Sequence, residues 1–476
     1  MEPLSWAGAL TFLNLPFVFF ASLLVVIFVL SFVLNAFEGD ASNAKVFWKT
    51  GASLTEHSNK ALAVAGILLI LIVLAYLILG ALLGTGAGII GGISRQLIPV
   101  WIALVVLATV SSIYKRRLGL YGKLFDSVIG TIGFLIVMFW VFVAIFGAFD
   151  LILTHEPLSQ VSGMKNKVPG TPLRGAEDGD YLYYLLGGDN LARDVFSRMI
   201  KGAGIVILIA PLATLFSYMV GITLGLPAGY YGGRFDTLLS FFANLILAFP
   251  VILLFYLLVT PEIVETGLPQ YMAVVLFFFP LIFFAVLINT RLKQQPAKNQ
   301  MWLICVLVPL AIIYAITINA PDSKINILGP LDFFNPAPGV LVVFVSVVFV
   351  NSPTVFRIVR GLTLDIKQRD YVAAAQTRGE GPWYIMLWEI LPNARGPLIV
   401  DFCLRIGYTT ILLGTLGFFG LGLPPESPGW GSTINEGRKL LSIYLHPALP
   451  PAFALLSLVL GLNLLADGLR EESLRD

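Results

Sequence analysis

The groups on which enzymes build active sites are sparse in this chain and do not converge. His57, His155 and His446 are its three histidines, scattered with no metal-holding spacing. Cys305 and Cys403 sit in apolar stretches and read as buried, inert thiols rather than a disulfide framework. No Ser-His-Asp or Cys-His order is credible as a catalytic set. The pattern G-x-x-x-x-G-K-[ST], which cradles phosphates, does not occur, and the glycine-rich stretch Gly84 to Gly92 lacks its lysine. The chain therefore has no such route to binding and hydrolysing ATP, and no cofactor or metal is expected in it. What remains is recognition. Tyr371 to Asn393, YVAAAQTRGEGPWYIMLWEILPN, is a polar, small-residue segment inside an otherwise apolar chain.

This segment reads as two short helices at a sharp angle. Tyr371 to Arg378 contains the helix-favouring run Ala373, Ala374, Ala375, whose small side chains allow close approach of another surface. Gly379 suits the left-handed residue that ends a helix. After Glu380, Gly381 and Pro382 open a second helix with proline at its first position. Leu391 before Pro392 disfavours helix there, Asn393 can cap the next helix, and Pro397 suits that helix's first turn. Trp383, Tyr384 and Trp388 fit a water–lipid boundary. Two readings stay open from the residues alone: a docking surface, or an amphipathic elbow between membrane spans.

The rest of the chain must hold this hairpin at a membrane. Of its 476 residues, 57% are hydrophobic and 12% charged, with a mean hydropathy of +0.87. Apolar stretches of twenty or more residues recur, each long enough to cross a hydrocarbon core of about 30 Å as a helix. The expected fold is all-α and polytopic, with about eleven spans near 14–35, 61–84, 97–114, 127–153, 204–230, 236–259, 270–290, 301–319, 338–356, 397–421 and 448–468. Thr85 to Gly92 is either a loop or a re-entrant turn. The first span is too long for a signal-peptide core and reads as retained. A net charge of +2 without a basic patch gives no sign of a nucleic-acid partner.

Basic residues set the orientation. Lys115, Arg116, Arg117 and Lys123, then Arg291, Lys293 and Lys298, then Arg357, Arg360, Lys367, Arg369 and Arg378, and finally Arg470 and Arg475 fall on one side under strict alternation. That side is expected to be the cytoplasm, with the C-terminus inside and His155 to Lys201 outside. In LGGDNLARDVFSRMIKGA, Leu191, Val195 and Met199 repeat at helical spacing, opposite Arg193, Asp194, Arg198 and Lys201. An amphipathic helix is expected, capped by Asp189 or Asn190 and ended by Gly202. It is either an interfacial helix or a docking element for an outer partner through Asp189, Arg193, Asp194 and Arg198. Within the membrane, Asp401 and Arg405 are four apart and can pair, either as a locally satisfied pair or as a lining or gate of a path. Asn244, Asn351, Asn463 and Asp467 read as inter-helix hydrogen-bonding groups.

The hairpin resembles the coupling motif of bacterial ABC-importer permeases, in which two alanines, a glycine four residues on and a Leu-Pro pair recur at fixed spacing. Here these are Ala374, Ala375, Gly379, Leu391 and Pro392, followed by Asn393. Three further strings resemble the C-type permease subunit of dipeptide and oligopeptide importers: LGGDNLARDVFSRMIKGA, LGFFGLGLPPESPGWGSTINEGRKLL and LNLLADGLREESLRD. The resemblance runs from about residue 127 to the end, except an insertion. It implies a six-helix type I importer core made of the fourth, fifth, sixth, ninth, tenth and eleventh spans. It implies a second permease, two ATPase subunits that bind ATP and magnesium, an external substrate-binding protein, and a place in the bacterial inner membrane. The corresponding division is an extra N-terminal region 1–114, core 115–260 with outer segment 155–203, inserted helix pair and loop 261–336, and core 337–476 with hairpin 363–395. The family motif usually has glutamate where this chain has Ala373, and Asp370, three residues earlier on the same face, is expected to serve instead. Glu389 stands where histidine or an apolar residue is common.

Three functions compete. A permease subunit of an ATP-driven importer for peptides or similar solutes needs an ATPase partner. A secondary carrier or channel works from an ion gradient alone. A scaffold binds an ATPase and passes no solute. The hairpin and the missing phosphate loop favour the first and third, and the resemblance favours the first.

Overall fold

A computed structural model of the chain describes residues 2–39, 48–117, 119–177, 180–318, 339–421 and 427–473. Among them ten helices are long and apolar enough to cross a membrane, or eleven if one bent pair counts as a single span. They form two compact units. The first holds residues 1–102 and 152–197, the second 103–151 and 198–476.

In the first unit, helices α1 (Asn14–Gly39), α2 (Trp48–Leu83) and α3 (Gly88–Gln96) pack near the chain's start. Thr85 to Ala87 belong to a short 3-10 turn, and the rest of that stretch opens α3. Backbone bonds join Ile89 N–H to Ser5 O at 3.0 Å and Ile90 N–H to Trp6 O at 3.1 Å. The same unit contains the segment after residue 151. Leu4 N–H donates to Gly170 O at 2.9 Å, and Gln96 Nε2 to Leu153 O at 2.9 Å. Two-residue strands β1 (Thr171–Pro172) and β2 (Tyr183–Tyr184) pair antiparallel there. The ring of His155 packs on Tyr184 and Tyr181. Burial pushes the Tyr181 hydroxyl up to about 12.

Helix α4 (Ile98–Tyr114) runs from the first unit into the second. The second unit then contains α5 (Val128–Ala148), most of α6 (Val195–Tyr231), α7 (Gly233–Leu247), α8 (Val251–Val259), α9 (Leu268–Leu276), α10 (Phe278–Arg291), α11 (Pro296–Ile318), α12 (Val340–Ile366), α13 (Asp370–Thr377), α14 (Arg395–Phe418), α15 (Trp430–Arg438) and α16 (Leu449–Ser473). The expected span 236–259 is the α7–α8 pair, bent by 82°. Pro250, which caps α8 and has no N–H to donate, stands at the bend. α12 runs ten residues past its expected end, carrying Arg357 and Arg360 within the helix.

α6 and α12 meet through a glycine stripe. A Cβ at Gly221 would lie 2.5 Å from Val355 Cγ1, at Gly225 2.9 Å from Val359 Cβ, and at Gly229 2.6 Å from Thr363 Cβ. Glycines at i, i+4 and i+8 face one way on a helix and let two backbones approach closely without a hydrophobic driving force.

The amphipathic helix expected from Asp189 does not form. Asp189 instead organises a turn, its Oδ1 accepting from the N–H of Leu191 at 2.8 Å and of Arg193 at 2.9 Å. Ala192 takes φ +64°, which a helix cannot continue through. α6 then starts at Val195 and passes through Gly202 without ending, because the apolar run continues to Tyr231. Cys403 is buried, but Cys305 lies on the exterior of α11. Of the four amide and acid groups expected to bond between helices, Asn351 does, donating to Thr409 Oγ1 at 3.1 Å. Asn244, Asn463 and Asp467 face the exterior of the chain.

Candidate functional site

The hairpin forms as two short helical arms whose joint obeys backbone chemistry. α13 ends in a Schellman motif, with Gly379 N–H donating to Gln376 O at 2.9 Å and Glu380 N–H to Ala375 O at 3.3 Å. Gly379 takes φ +80°, the left-handed conformation the sequence asks of it. The second arm opens with Pro382 as its first residue, in Pro382–Tyr384.

That arm does not stop at Leu391. It widens into a π-helical turn, Ile385–Ile390, and continues through Leu391–Asn393 toward α14. Pro392 has no N–H and would press its ring on the carbonyl four residues back, and the wider turn makes room for it. Asn393 does not cap α14, whose N-cap is Ala394 with no side-chain bond. Its Nδ2 reaches back to Glu389 O at 2.6 Å.

Burial divides the hairpin. Val372, Ala375, Ile385, Met386, Leu387 and Ile390 point inward and join one apolar cluster with Leu226, Val355, Val359, Ile366 and Leu398. Asp370, Ala373, Ala374, Arg378, Gly379, Gly381, Pro392 and Asn393 lie exposed, with Glu380 and Leu391 half-buried. Ala374 and Ala375 thus split between the two faces. Asp370 and Ala373 share the exposed face, and the acidic group sits in the first turn of α13, where the helix dipole favours it. Glu389 pairs with Arg378 across the joint at 2.8 Å. Both are partly exposed, so the pair contributes no more than about 1 kcal/mol.

The root of the hairpin is tied down by contacts invisible in local sequence. Arg360 of α12 forms a two-armed ion pair with Asp236 of α7, and its Nη2 lies 2.6 Å from Oδ2. Lys367 Nζ donates to Gly229 O at 2.8 Å, and Gln376 Nε2 to the Tyr230 hydroxyl at 3.3 Å. The sequence holds one clue, a carboxylate and a guanidinium each near the basic end of an apolar helix.

Beyond the hairpin, Arg405 Nε donates to Asp401 Oδ2 at 2.6 Å, as their spacing predicts. Tyr218 of α6 completes this group, its hydroxyl donating to Asp401 Oδ2 at 2.6 Å. Arg405 is 7% exposed, so its charge needs that carboxylate. At the other end of the second unit a cavity of about 90 Å³ is lined by Val206, Val343, Leu416, Trp430, Asn435 and Glu436 among others.

The four residues expected to dock an outer partner are buried. Asp189 and Arg193 pair at 2.7 Å, and Asp194 Oδ2 accepts from Thr154 Oγ1 and Ser197 Oγ, each at 2.7 Å. Arg198, 0% exposed, reaches Thr433 Oγ1 at 3.3 Å and Glu436 at 3.5 Å. These charges hold the chain together internally and offer no charged surface.

The described residues form a bundle of apolar helices with a polar hairpin between two of them. The family model described as "Binding-protein-dependent transport system inner membrane component" matches residues 221–471, and the chain belongs to that family. Residues of this chain are 31% identical over 286 positions to the glutathione transport system permease protein GsiD of Pectobacterium atrosepticum, covering 60% of this chain and 70% of the relative. They are 26% identical over 324 positions to the dipeptide transport system permease protein DppC of Alkalihalophilus pseudofirmus, covering 68% and 81%. The DppC of Haemophilus influenzae is 28% identical over 288 positions, covering 60% and 72%. The chain is the membrane permease of an ABC importer, of the peptide/nickel group, and a multi-pass membrane protein.

Proposed function

We propose that this permease carries short peptides or peptide-like solutes such as glutathione across the cytoplasmic membrane, driven by ATP that partner subunits hydrolyse. The observation that carries this reading is the hairpin, with its apolar face packed against the bundle and its small and charged face left open. On this reading Asp370, Ala374, Arg378, Gly379, Glu380, Gly381, Pro392 and Asn393 form the side that meets an ATPase. Ala375 and Leu391 set the backbone behind it. The hairpin end and the C-terminus lie in the cytoplasm, where the loop lysines and arginines favour it. The relatives' names speak of dipeptide and glutathione transport, which motivates the solute class.

A second permease subunit is part of the proposal. Asn463 and Asp467 sit on the outer face of α16, within an apolar span. Asp467 lies near the end of that span, where exposure to lipid costs less than at mid-bilayer, and a partner helix would give both side chains hydrogen-bonding groups. Two ATPase subunits and an outer substrate-binding protein complete the assembly. Opening alternates between the cavity near Trp430 and the Asp401–Arg405–Tyr218 group as helices rock around the packed core.

Uptake of labelled dipeptides and glutathione by cells lacking this chain tests the reading. ATP-dependent uptake is expected to be lost on deletion, and restored by the wild-type chain but not by Gly379→Pro. Uptake that survives ATP depletion and collapses with the ion gradient would instead support a secondary carrier.

A further inference from the structure

Trp388, in the second arm of the hairpin, donates its indole N–H to Thr290 Oγ1 at 3.1 Å. The Arg291 guanidinium lies over the same ring, 4.5 Å from its centre. Thr290 and Arg291 end α10, and Thr290 lies 98 residues before Trp388 in the chain. Above them Phe283, Val286 and Leu287 of α10 pack onto the apolar cluster that contains Ile385, Met386 and Leu387. α10 therefore holds the hairpin by an apolar patch, a hydrogen bond and a cation–π contact aimed at one indole. Thr290 Oγ1 also donates to Val286 O at 2.8 Å, which fixes its rotamer. These contacts fall on the π-helical turn, where the i→i−4 ladder is interrupted and the arm has least internal support.

We propose that α10 braces the coupling hairpin, with Trp388, Thr290 and Arg291 as positioning residues that turn hairpin movement into bundle movement. The proposal rests on the importer reading above. A hairpin pushed by an ATPase can move the bundle only if it does not swivel about its root, and α10 supplies a second point of attachment away from that root. The effect is on the efficiency of coupling rather than on assembly.

The test uses the detergent-purified complex reconstituted in liposomes. The reporter is Asn435→Cys in a Cys305→Ser background, labelled by a membrane-impermeant maleimide with and without ATP. In Thr290→Val combined with Arg291→Gln, ATPase recovery and ATP hydrolysis are expected to stay near the parent's. The ATP-dependent change in labelling of the reporter thiol is expected to fall at least threefold. Trp388→Phe should behave alike, because it keeps a ring and loses the donor, whereas Thr290→Ser, which keeps the hydroxyl, should match the parent. A full labelling change in the double variant and in Trp388→Phe would overturn the brace. Loss of the ATPase from those variants would make α10 a docking contact and overturn it too. A parent that recovers no ATPase, or shows no ATP-dependent labelling change, would sink the importer reading itself and the brace with it.

Discussion

Gly379 carries a requirement that glycine meets at the lowest cost. Its φ of +80° is open to glycine and strained for L side chains by roughly 1–2 kcal/mol, although nothing lies within 4 Å of where a Cβ would be. Gly379→Ala should therefore weaken ATPase binding modestly. Gly379→Pro should abolish coupling, because proline cannot take positive φ and also removes the bond to Gln376 O. The buried pair makes a second requirement. Asp401→Ala leaves the Arg405 guanidinium buried without its carboxylate and should cost about 3–5 kcal/mol, more than Asp401→Ala combined with Arg405→Leu. Thermal unfolding of the solubilised protein separates the two, and equal losses would mean that the pair contributes nothing as a pair. These features are legible in the sequence because they are local: a glycine after a helix, and charges four apart on a helix. Tyr218 is not, since its partner Asp401 is 183 residues away. Trp388 reads from sequence as a boundary residue, but its tie to Thr290 rests on packing that no spacing reveals.

The α6–α12 contact is decided at the element scale by its glycine stripe. Gly225→Val should drive Val359 away and cost about 1–3 kcal/mol by overpacking, read as a lower unfolding midpoint, while the same change at Gly204, where no atom lies within 4 Å, should be far milder. Similar losses at both sites would mean that the helices are not held by close approach. The stripe GITLGLPAG is plain in the sequence once helical packing in lipid is considered. The start of α6 misleads for an opposite reason. Leu191, Val195 and Met199 do repeat at helical spacing, yet Asp189 and Asp194 accept backbone N–H bonds and so favour turn and cap over a continuous helix. Asp194→Ala should remove that cap and its hydroxyl partners, lowering stability by about 1–2 kcal/mol in the same unfolding assay. The bend at Pro250 is foreseeable from the proline, although its angle is not.

Across the whole molecule, composition and hydropathy are enough to give a polytopic helical protein with about eleven spans, because each span is a long apolar run that the bilayer itself demands. The motif strings point to the permease family, which the matched region 221–471 shows. The division of the chain into compact units is less legible. Residues 1–102 fold with 152–197, tied by Leu4 to Gly170 and Gln96 to Leu153, pairings that a linear reading cannot supply. The measurement that tests the central claim most directly is purification of this chain from mild detergent, with co-purifying proteins identified by mass spectrometry, alongside its Gly379→Pro variant. An ATPase and a second permease should come with the wild-type chain, and the ATPase alone should be lost from the variant. A wild-type chain recovered alone or only with copies of itself would mean that the hairpin is an elbow between spans, and would contradict the account.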